Sequence, residues 1–235
     1  MHTGAGDEGA GDEGAEDEGW IAAGAALFAG ESRFVHATQS LAQLPPPGPP
    51  EIAFAGRSNV GKSSLVNALT GRRLLARVSN RPGRTQQLNF FATGARLMLV
   101  DMPGYGYAEA AKTVKADWQG LMFDYLRGRP GLRRVLLLLD ARVEVKPADG
   151  AVMALLDQAA VSFQLVLTKC DAVKPPQFAA KRAEAERLAR AHTAAHPIII
   201  ATSAETGAGI PRLRAALAAL ALPPAPAAHQ RDTKY

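Results

Sequence analysis

The sequence predicts an α/β fold: a six-stranded, mainly parallel sheet with helices on both faces. Short apolar runs alternate with segments of helical periodicity, which is typical of strand–helix–strand units. The link at residues 93–95 is hairpin-sized, so the second and third strands should be antiparallel and provide one antiparallel edge strand. We predict strands at 51–55, 88–92, 97–101, 135–140, 163–168 and 197–201, and helices at 62–69, 110–126, 147–158, 175–192 and 210–220.

The composition predicts one globular domain between two unstructured ends. A chain of 235 residues with 47% hydrophobic content can bury one sizeable core, which we place at residues 33–222. Residues 1–32 should form a disordered tail and lead-in, because residues 4–19 are a Gly-rich acidic repeat with nothing to bury. Residues 223–235 should form a flexible C-terminal tail. The acidic repeat could shield a basic body, or it could be a neutral appendage, which is the simpler interpretation.

The charge distribution favours a polyanionic partner. The net charge is +5, but residues 1–19 carry seven acidic side chains and no Lys or Arg, so the remainder carries +12. Such a body favours polyanionic partners, chiefly RNA, although part of the positive charge can instead face the phosphates of a small ligand, and charge alone does not separate the two. Cys170 is the only cysteine, which excludes an intramolecular disulfide and fits a reducing cytoplasm. The apolar stretch 20–30 is too short to span a bilayer, so we expect a cytoplasmic protein without membrane association.

The segment between the first predicted strand and the first predicted helix has the pattern of a phosphate-binding loop. Its glycines let backbone N–H groups turn towards a β-phosphate, and the start of the helix adds its dipole. In this pattern Lys62 bridges the β- and γ-phosphates and the Ser63 hydroxyl coordinates Mg²⁺. The predicted contacts are Gly56, Arg57, Ser58, Asn59, Val60, Gly61, Lys62, Ser63 and Ser64.

A second motif, Asp101-Met102-Pro103-Gly104, ends the third predicted strand. Asp101 can reach the Mg²⁺ shell through water, and the Gly104 N–H can contact a γ-phosphate. On its own this tetrapeptide is merely a good turn. Its position 38 residues after Ser63, one hairpin later, favours the metal interpretation.

Two further segments predict which base is bound. The Asp171 carboxylate of Thr168-Lys169-Cys170-Asp171 can accept both N1–H and the exocyclic amine of guanine, a pair of donors that adenine lacks. Lys169 would lie along the ring, and the segment Thr202-Ser203-Ala204 offers a backbone N–H to guanine O6. GTP and GDP are therefore the predicted ligands. An ATPase or kinase would leave Asp171 and Ser203 without a role.

A Pro-Gly segment between the first helix and the second strand is the predicted mobile switch. The Thr85 hydroxyl can complete Mg²⁺ coordination beside a γ-phosphate and leave after hydrolysis, so Ser63, Thr85 and Asp101 form the predicted metal set. The nucleotide contacts predicted here are Gly83, Arg84, Thr85, Gln86 and Gln87. Five arginines crowd the region, and they either contact ribosomal RNA or form a solvated loop: Arg72, Arg73, Arg77, Arg81 and Arg84.

Together these motifs resemble the EngB family of bacterial GTP-binding proteins, in the Era-like branch of translation-associated GTPases. The resemblance covers residues 33–222 and rests on the runs 56–65, 81–86, 101–108, 140–142 and 168–171, of which Pro-Gly-Tyr-Gly-Tyr-Ala is the most specific. It implies a P-loop GTPase with a Ras-like G domain. It also implies a role in assembling the large ribosomal subunit, with the subunit precursor and its RNA as partner, and in normal cell division and septation. We expect a monomer that does not bind DNA.

The sequence also suggests how GTP is hydrolysed. Tyr105 occupies the position of the glutamine that orients the attacking water in Ras-like proteins, so turnover should be slow. The predicted catalytic set is Lys62, Thr85, Gly104 and Asn59. The Era-like resemblance implies that Asn59 holds K⁺ against the phosphates; the alternative is an Asn that hydrogen-bonds its own loop. The alternative function is a nucleotide-dependent recruitment module of the division machinery with little turnover.

Overall fold

A computed structural model of the protein describes residues 10–76, 87–105, 120 and 122–222, and the side chains from residue 18 onwards within those ranges. Its centre is a seven-stranded sheet in the order β1-β3-β4-β2-β5-β6-β7. β3 is antiparallel to its neighbours β1 and β4, and the other pairs are parallel. The strands are β1 (Ser32–Thr38), β2 (Glu51–Gly56), β3 (Leu88–Thr93), β4 (Leu97–Asp101), β5 (Leu132–Asp140), β6 (Phe163–Thr168) and β7 (Ile200–Ala201).

Helices cover both faces of the sheet. One apolar cluster joins the sheet to α2 and α6 through residues such as Leu65 and Leu213, and the other joins it to α4 and α5 through Met153 and Ala185. Most of the predicted helix at 110–126 lies outside the described residues. The helices are α1 (Ala10–Ala29), α2 (Lys62–Thr70), α3 (122–128), α4 (Pro147–Gln158), α5 (Pro175–Ala191) and α6 (Ile210–Ala221).

The predicted fold class is confirmed, but the predicted strand count and edge strand were wrong. β1 pairs with β3 and takes the edge position predicted for β3. β1 has no clear apolar alternation, because its sequence is Ser-Arg-Phe-Val-His-Ala-Thr and its register shifts between Phe34 and His36. β1 is recognised as a strand only from its pairing with β3. Across this pair Phe34 packs edge-on against Phe91, with the ring centroids 5.8 Å apart.

The N-terminal region differs from the prediction where the structure describes it: α1 (Ala10–Ala29) lies within the predicted disordered tail and lead-in, residues 1–32, of which residues 1–9 lie outside the described residues. Residues 20–28 are apolar, and α1 packs along α6, where Phe28 is buried. The Arg214 guanidinium of α6 lies over the Phe28 ring, 5.6 Å from its centroid, and its Nε donates to the Leu69 carbonyl oxygen of α2 at 2.9 Å. The apolar part of α1, residues 20–28, is therefore held by a tertiary contact with α6, which the sequence pattern did not indicate.

We predict that Gly24→Val destabilises the protein, because a Cβ at Gly24 would lie 2.6 Å from the carbonyl carbon of Arg214. The α1–α6 contact must then open, at a cost of about 1–3 kcal/mol in the free energy of unfolding. Urea denaturation followed by circular dichroism measures this change. Gly19→Ala in the same helix is the control: its Cβ meets nothing within 4 Å, so stability should be unchanged or slightly higher. Equal unfolding midpoints for Gly24→Val and wild type would contradict the close packing of α1 against α6 at Gly24.

Candidate nucleotide-binding site

The predicted phosphate loop connects β2 to α2 at the carboxyl edge of the sheet. Two residues of the loop have left-handed backbone angles, with φ of 64° at Asn59 and 104° at Gly61. A Cβ at Gly56 would lie only 2.7 Å from Cγ1 of Val60, so the chain can fold back over β2 only with glycine there. The backbone amides at the start of α2 therefore face the space above the sheet, where an anion binds favourably.

Lys62 and Asp101 come together beside this loop. Because β2 and β4 are parallel neighbours, Asp101 lies at the same edge as the loop, and Lys62 Nζ donates to its Oδ1 at 2.5 Å. Both side chains are largely buried. The described residues contain no group of three His, Cys, Asp or Glu side chains that could hold a metal. The oxygen donors of Ser63 and Asp101 suit Mg²⁺ with nucleotide phosphates and water as its other ligands.

The segment that follows β4 lies directly across the phosphate loop. Ser58 N–H donates to the Tyr105 carbonyl oxygen and Tyr105 N–H donates to the Gly56 carbonyl oxygen, both at 3.2 Å. A Cβ at Gly104 would lie 3.2 Å from both the Cα and the backbone N of Ser58, so the two backbones are in close contact. The Met102 side chain is buried in the core, so Met102 can contact a nucleotide only through its backbone.

Asp149 is a residue of this region that the sequence did not point to. The Tyr105 hydroxyl donates to Asp149 Oδ1 at 2.8 Å, and both residues are buried. Burial, together with the charge of Asp149, raises the pKa of Tyr105 far above its usual value. The only sequence signal at Asp149 is its place in the first turn of a helix, which indicates a cap and not a contact with residue 105.

The end of β6 is tied to the phosphate loop. The Thr168 hydroxyl donates to the Val60 carbonyl oxygen at 2.7 Å, so this threonine links β6 to the loop. Lys169 has a left-handed φ of 57°, and its Nζ donates to the Asn59 carbonyl oxygen at 2.6 Å. These two contacts hold the predicted base-binding segment against the phosphate loop.

The two predicted base-binding segments lie side by side. Cys170 N–H donates to the Thr202 carbonyl oxygen at 3.2 Å, and Asp171 is exposed beside it. Ser203 N–H already donates to the Ala208 carbonyl oxygen at 3.0 Å. The amide of Ala204 is therefore the better candidate donor to guanine O6.

Part of the predicted switch segment cannot be placed. Gly83, Arg84, Thr85 and Gln86 lie outside the described residues, so their predicted contacts with nucleotide and Mg²⁺ remain predictions. Gln87 precedes β3, and its Nε2 donates to Asn89 Oδ1 at 3.1 Å.

Asp140, at the end of β5, positions Lys169. Its Oδ2 lies 3.0 Å from Lys169 Nζ, and Arg142 donates to both of its carboxylate oxygens. Burial alone would raise the pKa of Asp140, but the hydrogen bonds from Arg142 and Lys169 outweigh it and lower the pKa to about 2. The carboxylate therefore stays ionised in the folded protein well below the pH at which an exposed aspartate is protonated.

Comparisons with known proteins show which family the chain is similar to. The sequence pattern of the family described as "50S ribosome-binding GTPase" matches residues 51–169. The "Probable GTP-binding protein EngB" of Granulibacter bethesdensis is 68% identical over 200 residues, which are 85% of this chain and 90% of that protein. The protein of the same name from Gluconobacter oxydans is 66% identical over 200 residues, 85% of this chain and 88% of its own length.

Solved structures show the same fold. A crystal structure of a probable GTP-binding protein engB has a TM-score of 0.54 and 25% identity, covering 72% of this chain and 97% of that one. Era in complex with MgGDPNP and nucleotides 1506–1542 of 16S ribosomal RNA has a TM-score of 0.59 at 19% identity, over 77% of this chain and 59% of that one, which bears on the fold alone.

Fold, site and comparisons together define a P-loop GTPase, an enzyme that binds and hydrolyses GTP. The chain belongs to the EngB family of GTP-binding proteins. None of the described helices combines the length and the apolar character that a bilayer crossing requires.

We predict that Asp140→Asn destabilises the protein in a pH-dependent way. The folded pKa is about 2 and the unfolded value is about 3.9, so the ionised carboxylate stabilises the fold above about pH 4. This contribution is lost as the pH falls towards 2. The difference in unfolding free energy between wild type and variant should be largest at pH 5–7 and shrink by pH 3, as measured by urea denaturation at each pH.

Glu144→Gln is the matched control, since it neutralises a carboxylate that is 88% exposed and only four residues away. Its effect should be small at every pH. A difference for Asp140→Asn that does not change between pH 3 and pH 7 would contradict the proposed role of the ionised carboxylate.

Proposed function

We propose that this GTPase is a molecular switch in the assembly of the large ribosomal subunit, and that normal cell division and septation depend on it. The observation that carries the switch is the segment after β4, whose backbone pairs with the phosphate loop at Gly56 and Ser58. A γ-phosphate bound at this loop would therefore act directly on that segment. The match to a family described as ribosome-binding supports the ribosomal partner.

The proposed nucleotide site is built from three groups. Lys62 and the loop amides bind the β- and γ-phosphates, and Asp171, Lys169 and Ala204 select guanine. Ser63, Asp101 and, in the nucleotide-bound state, Thr85 would hold Mg²⁺, which would neutralise charge on the phosphates.

Hydrolysis should be slow in the protein alone. The Tyr105 hydroxyl donates to Asp149 and is buried, so it does not replace the water-orienting glutamine of Ras-like proteins. The remaining proposed catalytic groups are Lys62, the Gly104 N–H, Thr85 and Asn59. A partner on the ribosome could supply the missing stabilisation.

The proposed contact with ribosomal RNA includes the loop after α2. Arg72 and Arg73 are exposed there, while the buried Asn67 side chain fixes the loop: its Nδ2 donates to the Ala76 carbonyl oxygen at 3.0 Å and its Oδ1 accepts from Ala76 N–H at 2.8 Å. The arginines are thus presented on a fixed loop that leads into the switch segment. The alternative, a solvated loop, predicts no effect on ribosome binding when they are removed.

We predict that the protein sediments with large-subunit precursors more strongly in a non-hydrolysable GTP analogue than in GDP. Lys62→Ala removes the phosphate contact and should abolish this difference, measured by co-sedimentation with purified particles. In cells carrying this variant we expect large-subunit precursors to accumulate. Normal septation together with normal subunit profiles in those cells would overturn the switch, whereas a septation defect with normal profiles would favour a recruitment module with little turnover.

The same assay tests the RNA surface. Replacing both Arg72 and Arg73 by Ala should weaken binding and reduce the slope of log affinity against log salt by about 0.7–0.9 for each RNA phosphate that the arginines neutralise. Arg187→Ala with Arg190→Ala removes the same charge from exposed positions on α5 and is the control. Equal effects of the two pairs would indicate a general charge effect and no contact at the loop.

We also propose that K⁺ stimulates hydrolysis through Asn59. Among the described residues, the hydrogen bond of Asn59 is made by its carbonyl oxygen, and its exposed side-chain amide makes none. This favours the interpretation that the Asn59 side chain binds a cation over the alternative that it hydrogen-bonds its own loop. GTP turnover should be faster in K⁺ than in Na⁺, and Asn59→Ala should remove the difference. Equal rates for the wild-type protein in the two salts would contradict the proposal.

A further inference from the structure

Tyr105 is anchored at three points, and two of them are on the phosphate loop. Its backbone N–H and carbonyl oxygen pair with Gly56 and Ser58, and its hydroxyl donates to Asp149 at the start of α4. Tyr105 is 8% exposed and Asp149 is 2% exposed. A side chain of this size, buried and hydrogen-bonded to a carboxylate, fixes the backbone on which it is carried.

The acceptor of this hydrogen bond is itself held firmly. The second carboxylate oxygen of Asp149 accepts from Lys146 N–H at 2.8 Å, which caps the first turn of α4. The loop before α4 is tied to α5, because the largely buried Lys181 donates from Nζ to the Val143 carbonyl oxygen at 2.7 Å. Tyr105 is therefore attached to two helices that are not part of the nucleotide site.

Because Tyr105 is anchored in this way, Gly104 lies between two residues with restricted backbones. Pro103 precedes it with a restricted φ, Tyr105 follows it, and its Cα packs against Ser58 so closely that a Cβ would lie 3.1–3.2 Å from three Ser58 atoms. The position of Gly104 against the phosphate loop thus depends on where Tyr105 is held.

We propose that Tyr105 and Asp149 are positioning residues that hold the Gly104 N–H where it meets a γ-phosphate. The inference rests on the proposed contact between Gly104 and the γ-phosphate, and it gives a physical reason for a tyrosine at this place in the chain. GDP lacks the γ-phosphate, so the Tyr105–Asp149 hydrogen bond contributes to affinity for GTP and not to affinity for GDP. Preorganised donors lose no free energy in reorientation when the charge arrives.

The test is the ratio of affinities for a non-hydrolysable GTP analogue and for GDP. Tyr105→Phe removes only the hydroxyl, and a cavity of about 220 Å³, lined in part by Asp149 and Lys181, can admit a water to Asp149, so the variant should fold. We expect analogue affinity to fall by about tenfold, which is about 1.4 kcal/mol, while GDP affinity changes by less than about twofold. Asp149→Ala should give the same pattern.

Tyr125→Phe is the matched control. The Tyr125 hydroxyl also donates to a buried carboxylate, Glu51 Oε2 at 2.9 Å, but Glu51 begins β2 at the end of the sheet opposite the phosphate loop. This variant should lose comparable thermal stability and keep the wild-type affinity ratio. Asp149→Asn is the rescue variant, because its Oδ1 can accept from Lys146 and its Nδ2 can donate to the Tyr105 oxygen, so the ratio should stay near wild type.

Three results would overturn the proposal. An unchanged ratio in Tyr105→Phe would show that the hydrogen bond does not position Gly104, and an equal loss for both nucleotides would show a purely structural role. A ratio that rises would show that the hydrogen bond opposes the GTP-bound state. If Tyr105→Phe does not fold, Asp149→Ala gives the same test, with the same three results against the proposal. These affinities are measured without ribosomes, so the result is independent of the proposed ribosomal role.

Discussion

The backbone of residues 56–60 is the point on which the nucleotide site depends. This loop must leave its amides facing a polyphosphate. Its carbonyl oxygens nevertheless accept hydrogen bonds from segments far away in the chain: from Tyr105 after β4, from Thr168 at the end of β6, and from Lys169, which follows Thr168. Each of these contacts uses a backbone atom of the loop. The loop is therefore fixed through its own backbone, and these contacts do not use the side chains of residues 56–60.

Charge in this region is largely arranged in pairs. Lys62 contacts Asp101, while Asp140 is shared by Lys169 and Arg142. Removing one partner of such a pair destabilises the protein, because the other charge is left partly buried and unpaired, although the intact pair gains little over an apolar arrangement of the same shape. Their value lies in orientation: the pair at Lys62 places an ammonium group where phosphate charge would arrive, and the pair at Asp140 holds the lysine predicted to lie along the guanine ring.

The opposite end of β2 is fixed by a separate network. Glu51 is 1% exposed and accepts hydrogen bonds from the Tyr125 hydroxyl at 2.9 Å and from Arg129 Nε at 2.8 Å, while Arg129 Nη1 donates to the Pro45 carbonyl oxygen at 2.8 Å. This buried carboxylate has no place in the nucleotide chemistry. It connects α3 and the segment at Pro45 to the strand that carries the phosphate loop, so that strand is held at both ends.

The sequence alone determined the class of the fold, the phosphate loop, and the segments expected to select guanine. These are local patterns, in which a strand, a turn of fixed spacing and a helix follow one another along the chain. Gly56, Gly61 and Asp101 could be named because backbone geometry and charge restrict those positions to few residue types.

Only the tertiary structure decided what depends on distant partners. The edge strand β1 lacks alternation and is defined by its pairing with β3, and α1 is defined by its packing on α6. Asp149 looks like an ordinary helix cap until the fold brings it to Tyr105, 44 residues earlier. Local patterns cannot show such contacts, because their energy comes from surfaces and hydrogen-bonding groups that meet only after the chain has folded.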